Sequence, residues 1–248
     1  MQKSIIFIWM SLLVCAAWAG DEYRDFTNTK GQTVRGRIVS FDARKDIVQI
    51  EPERGKKARI PLSALIEKDQ EYVRSWQVGR NFMDDRRLKI SAKRRREDNE
   101  GMTRKYGIVT RDVENMSYEI LLENASELMF ENVEMQYCIY YEQEESAEGG
   151  NETRRGVYCG KTDIETLTSG SKQALKTEVV LIYKAELDSG YYYTAGSDSS
   201  QDGEVHGIWL RLTMELPGGE KVVRDFSMPD SIPNGHKWTT TSVKVGMN

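Results

Sequence analysis

Apolar residues in the first third of the chain come in short groups separated by turn formers. The stretch "RDFTNTKGQTVRGRIVSFD" supplies a strand entry, a turn at Asn28–Gly31 and a second strand whose apolar members are Val34, Ile38 and Phe41. "DIVQIEPE" follows with Ile47, Val48 and Ile50, then "RGKK" as a turn and "ARIPL" as a further strand. Pro61 confines that strand to an edge or an end, because proline donates no ladder hydrogen bond. The period then changes: in "SALIEKDQEYVRSW", Leu65, Tyr72, Val73 and Trp76 can share one helical face, with Ser63 set to cap the start and Glu67 nearby. These elements predict a small, strongly bent barrel of about five strands with a terminal helix.

Residues 78–103, with "MDDRRLKISAKRRREDNEG", are charge-dense and poor in large apolar side chains, the composition of a linker with one short strand at Leu88–Ser91. Beyond it the period of two returns. "SYEILLEN" alternates Tyr118, Ile120 and Leu122, and "VEMQYCIYY" alternates Val133, Met135, Tyr137, Ile139 and Tyr141. "HGIWLRLTMEL" alternates Ile208, Leu210, Leu212, Met214 and Leu216, while "KTEVVLIYKAEL" is apolar on both faces around Val179–Tyr183, as a central strand would be. Gly218 and Gly219 have the composition of a hairpin turn. About seven or eight strands without a helix-length pattern between them predict an antiparallel β-sandwich of immunoglobulin-like or fibronectin-like type over 104–248. The expected fold class is therefore all-β, a barrel with a terminal helix over 20–77 followed by the sandwich.

The N-terminus changes the picture of where the chain works. "MQKSIIFIWMSLLVCAAWAG" carries Lys3, an apolar run from Ile5 to Val14 and "AWA" ending at Ala19, the order of a secretory signal peptide over residues 1–19. Cys15 raises the alternative of a lipid-tethered chain, which the bulky Leu13 and Val14 before it disfavour. Removing the leader takes away Lys3 and no acid, so the net charge moves from −4 to −5. A mildly acidic, exported chain is not built as a general polyanion binder, so the basic run Lys93–Arg96 reads as solvated linker and no nucleic-acid partner is expected. No later segment approaches the length of a transmembrane helix.

Candidate chemistry is sparse. Cys138 and Cys159 lie in strand-like segments joined by a polar loop, and in an oxidising compartment they can form a disulfide; two separate thiols is the other reading. Alternation sets Cys138 opposite the Val133, Met135, Tyr137 and Ile139 face. His206 heads a strand and His236 stands in the "PNGHKW" turn, with no nucleophile-elbow pattern to pair with either, so no catalytic residue is assigned. "EQEESAEGGNE" and "DSGYYYTAGSDSSQDGE" do not fit a calcium loop and are expected as solvated loops. A glycosidase acid pair is set by separation in space, so a carbohydrate-active chain stays as an alternative. No metal motif or phosphate-cradling glycine loop is present, and no cofactor is expected. Tyr191, Tyr192 and Tyr193 are the candidate contact surface for a protein or a glycan, because aromatics bring large contact area at low entropy cost. Sequons at Asn115, Asn124 and Asn151 matter only in a glycosylating host.

Residues 22–77 resemble the SHD family, a small Src-homology-3-like barrel first defined in a fungal endocytic adaptor and also seen in exported bacterial proteins. The resemblance rests on Arg24, Phe26, Gly31, Val48 with Ile50, Gly55 with Lys56, Ile60–Leu62, Leu65, and Asp69 with Tyr72 and Val73. Phe26 stands where tryptophan is usual and Ile66 replaces a serine; both keep or add apolar volume. The resemblance implies protein or peptide binding without catalysis. Its matched positions are mostly fold-determining, so the expected contacts are the turn residues Lys30, Arg54, Lys56 and Lys57. The expected function is that of an exported, non-catalytic binding or adaptor protein, the alternatives being carbohydrate recognition by sandwich loops or a structural role in the envelope.

Overall fold

In the computed structural model, residues 22–97, 103–147, 150–191 and 200–245 are described. The leader over 1–19 and Cys15 lie outside them. Strands β1 (Arg24–Thr27), β2 (Thr33–Asp42), β3 (Ile47–Pro52) and β4 (Ala58–Pro61) form an antiparallel sheet in chain order. A register shift between Ile38 and Ser40 bends β2, and the free edge of β1 bonds the chain that follows β4. Ile66 N donates to the Thr27 carbonyl at 3.0 Å and Thr29 N to the Ala64 carbonyl at 2.9 Å, which closes the sheet into a barrel. Phe26, Ile38, Val48, Ile50, Leu62, Leu65, Val73 and Trp76 fill its core.

The helix departs from expectation at both ends. Ser63 lies in a short 3-10 turn, Leu62–Ala64, and caps nothing. Helix α1 starts at Glu67 after Ile66, with no side-chain cap, and Glu67 and Asp69 place negative charge in its first turn, where the helix dipole favours it. It then continues to Met83. Its first half packs in the barrel core, whereas Val78, Phe82 and Met83 join the sandwich core, Phe82 meeting Phe130 edge-on with ring centroids 5.6 Å apart.

The segment 78–103, expected as a linker, is corrected by the structure: after α1 it forms β5 (Leu88–Glu97), a strand paired along its whole length. Its charges do not prevent this, because Leu88, Ile90 and Ala92 point to the sandwich core while Lys89, Lys93 and Arg95 face out. The remaining strands are β6 (Thr103–Tyr106), β7 (Val109–Asn124), β8 (Phe130–Ala147), β9 (Gly150–Leu167), β10 (Lys172–Lys176), β11 (Val180–Leu187), β12 (Ser200–Gln201), β13 (Gly203–Glu215) and β14 (Lys221–Met228). In one sheet β7 is central, with β5 and β6 along one edge, β10 and β11 along the other, and β12 outside β11. The second sheet has the order β14–β13–β8–β9. The two antiparallel sheets pack face to face through the alternating residues of β7, β8 and β13.

β11 is less central than its sequence predicts. Val180 and Ile182 enter the core, but Val179 and Leu181 are exposed, so the apolar residues around β11 are not buried on both faces. The described residues of "EQEESAEGGNE", 142–147 and 150–152, are strand rather than loop, with β8 and β9 paired as far as Ala147 and Gly150. Two β9 glycines lie under cross-strand rings: a Cβ on Gly156 or Gly160 would overlap Tyr141 or Tyr137 respectively. Asn124, one of the sequons, is fully buried; its amide donates to the Leu128 and Leu167 carbonyls at 2.7 and 2.9 Å and its Oδ1 accepts from Ser126 N and Oγ.

Candidate functional site

The residues that carry the barrel motif are occupied in holding it together. Asp69, only 2 % exposed, accepts from Arg24 at 2.9 Å and from Thr27 N at 2.7 Å. The Arg24 guanidinium lies 3.7 Å from the centroid of the Tyr72 ring, and Phe26 stands beside that ring at 6.2 Å. Burial pushes the Tyr72 hydroxyl above its ordinary pKa.

The turn cations sit elsewhere. Lys30 is in the β1–β2 turn, whereas Arg54, Lys56 and Lys57 are in the β3–β4 turn, and Glu53 N bonds the Arg35 carbonyl near the start of β2. Both turns therefore project from the same end of the barrel, and all four side chains are exposed. Lys57 pairs with Glu51 at 3.5 Å, and Arg37, the stronger influence, and Lys57 together hold the Glu51 carboxyl below its usual range. Arg35 takes Glu53 at 3.6 Å. Lys30, Arg54 and Lys56 have no ion-pair partner among the described residues.

A cleft of about 500 Å³ opens where the barrel meets the sandwich. Its walls are the β2–β3 turn with Phe41, Asp42 and Arg44, the α1 residues Trp76, Gln77, Arg80 and Asn81, and Arg87, Glu127 and Leu128 from the sandwich. Arg44 and Glu127 pair across it at 2.5 Å. The junction is pinned by Ser75 Oγ donating to the Pro217 carbonyl at 2.9 Å and by Arg224, which donates to the Phe82 carbonyl at 2.8 Å and pairs with Asp85. Burial lowers the Arg224 pKa, and the acids Asp85 and Asp84 oppose that shift.

The outer face of the β14–β13–β8–β9 sheet is covered by the chain after β14. Cys138 and Cys159 stand opposite each other on β8 and β9, Cα atoms 4.2 Å apart, and are joined as a disulfide. Cys138 is on the outer face yet only 1 % exposed, because residues 232–245 run over it. Thr239 places its carbonyl oxygen 2.9 Å from Cys138 Sγ, Tyr140 donates to the Lys237 carbonyl, and Trp238 packs on Trp209 with Arg211 4.4 Å from its ring centroid. Val243 exchanges both backbone hydrogen bonds with Val157 on the free edge of β9. Burial pushes the Tyr140 pKa up to about 12.

This strap also brings the two histidines together. The helical turn α2 (Ile232–Gly235) precedes His236, whose ring lies 5.6 Å from that of His206 and 4.4 Å from that of Tyr140. His206 Nε2 approaches Glu142 at 3.0 Å, although the alignment there falls short of a hydrogen bond. Burial, then His206 and Arg155, lower the His236 pKa, with Glu142 opposing. Sequence offered one signal for the strap: Cys138, Tyr140 and Trp209 are apolar on a face that would otherwise meet water. Among the described residues no group of three or more His, Cys, Asp or Glu side chains could hold a metal ion.

Tyr191 follows β11 and is 54 % exposed; Tyr192 and Tyr193 lie outside the described residues. The basic run Lys93–Arg96 is tied into its sheet, with Arg95 on Glu119 at 2.5 Å, Arg96 on Glu114 at 3.1 Å and Arg94 on the Val205 carbonyl at 2.9 Å. No described helix is long and apolar enough to cross a membrane.

No protein-family model and no curated protein matches the chain. Among solved structures it is similar to a Northeast Structural Genomics Consortium target, at 10 % identity and TM-score 0.27, over 62 % of this chain and 97 % of that one. It is also similar to the sporulation control protein Spo0M from Bacillus subtilis, at 9 % identity and TM-score 0.20, over 49 % of each chain.

Proposed function

We propose that this is an exported, non-catalytic binding or adaptor protein, in which an SHD-like barrel over residues 22–77 recognises a protein or peptide partner at the cell envelope and an immunoglobulin-like sandwich carries it. The observation that supports this most is the set of cations at one barrel end: Lys30, Arg54 and Lys56 are exposed and make no ion pair among the described residues, while the neighbouring acids Glu51 and Glu53 are consumed by Arg37, Lys57 and Arg35. Such an end suits an acidic partner surface, since free charge steers encounter and sets orientation. The motif residues support the same division of labour, because Arg24, Asp69 and Tyr72 are spent on each other.

The test is capture from envelope extract by the mature chain and by a Lys30→Glu, Arg54→Glu, Lys56→Glu variant, with partners identified by cross-linking and mass spectrometry. Loss of a specific partner in the variant, with an unchanged melting temperature, supports the reading. An identical partner list from both proteins sinks it.

A further inference from the structure

We propose that the cleft between barrel and sandwich is a second binding site, for a short peptide segment bearing side-chain carboxylates, with Arg80 and Arg87 as the groups that hold them. The cleft contains acids, but both are already satisfied. Glu127 pairs with Arg44, and Asp42 accepts from the backbone N–H groups of Arg44 and Lys45 and faces the Lys45 ammonium at 3.6 Å. The guanidinium groups of Arg80 and Arg87 have no hydrogen-bond or ion-pair partner among the described residues, so the net charge offered to a ligand is positive.

Both arginines stand on rigid supports. Arg80 lies in the last turn of α1, and Arg87 is in the turn before β5, its carbonyl fixed by Ala125 N at 2.7 Å. A guanidinium fork suits the planar carboxylate, which it can bind with two parallel hydrogen bonds. Phe41, Trp76 and Leu128 give the cleft an apolar wall, which suits the hydrocarbon stem of a side chain better than a bare inorganic anion. About 500 Å³ is room for a few residues and not for a folded partner. This site is separate from the barrel-end cations and goes beyond the function proposed above.

The experiment uses a fluorescein-labelled Glu-Leu-Glu-Leu peptide and the mature chain, read by fluorescence anisotropy. Competitors are the unlabelled peptide, Gln-Leu-Gln-Leu and inorganic phosphate. The expected result is saturable binding, displaced by the glutamate peptide and far less by the other two. Arg80→Gln with Arg87→Gln weakens it by ~10-fold or more, as the loss of the charge-assisted hydrogen bonds at both arginines requires. Both arginines are exposed, so the double variant keeps the parent melting temperature. A second variant, Arg44→Gln, leaves Glu127 unpaired in the cleft and also weakens binding. Lys30→Gln with Arg54→Gln and Lys56→Gln leaves the affinity unchanged. Absent binding, undiminished binding in the arginine variants, or equal displacement by phosphate overturns the proposal. Binding lost only in the barrel-end variant also overturns it, and leaves the proposed function standing.

Discussion

Replacing Asp69 with alanine removes the acceptor that joins α1 to β1. Two bonds are lost, from Arg24 at 2.9 Å and from Thr27 N at 2.7 Å, and the Asp69 side chain itself is almost wholly enclosed. Arg24 keeps 28 % of its side-chain surface, so water and the Tyr72 ring recover part of its loss. The Thr27 N–H is left without its acceptor. Breaking a buried charge pair typically costs ~3–5 kcal/mol, and the partial exposure of Arg24 reduces that to ~2–4 kcal/mol for the barrel. Hydrogen exchange read by mass spectrometry resolves this locally: amides of β2 and β3 in D69A exchange roughly 30–1000-fold faster, while those of β13 stay at the parent rate. Asp69→Asn retains an acceptor for Thr27 and falls between the two proteins. A change below threefold in β2 and β3 would show that the buried carboxylate does not hold the barrel closed.

Three further outcomes follow from the sandwich. Asn124→Ala leaves the Leu167 carbonyl and the Ser126 N–H without their partner at a buried position, and lowers stability by ~2–4 kcal/mol in a denaturant melt; a loss under 1 kcal/mol would mean the turn rebuilds around water. Gly160→Val drives a side chain into the Tyr137 ring, whose hydroxyl also accepts from Glu178 N at 3.0 Å, and costs ~1–3 kcal/mol by thermal melting. Because His236 has a lowered pKa when docked, the released strap binds protons more readily. Strap stability is full above the ordinary histidine value of 6.5 and falls as pH drops through the lowered value. Exchange of amides 232–245, corrected for intrinsic rates, therefore accelerates towards pH 5, and His236→Gln flattens the profile.

Much of the β framework was legible because each strand carries its own pattern. The alternation in β7, β8 and β13 marks which side chains enter the core, and the turns at Asn28–Gly31 and Gly218–Gly219 need only local chemistry. β5 was not legible as a full strand, since what makes it one is its register against β7, which runs from Leu88 opposite Asn124 to Glu97 opposite Asn115. That register sets Arg95 beside Glu119 and Lys89 beside Glu123, turning a basic run into a neutralised sheet face. The helical spacing of the barrel face ends at Trp76, because the second half of α1 buries Val78 and Phe82 in a different core.

By itself the sequence determined the all-β class, the barrel followed by a sandwich, and the outward placement of Cys138. Tertiary structure alone decided that α1 belongs to both cores and that a cleft opens beside it. It also decided that the chain after β14 folds back over the disulfide and brings His206 to His236. The physical reason is the range of the forces involved. Alternation and turn propensity act between neighbours and are written locally, whereas burial and charge pairing join residues such as Arg44 with Glu127, or Ser75 with Pro217, that only the folded chain brings within reach.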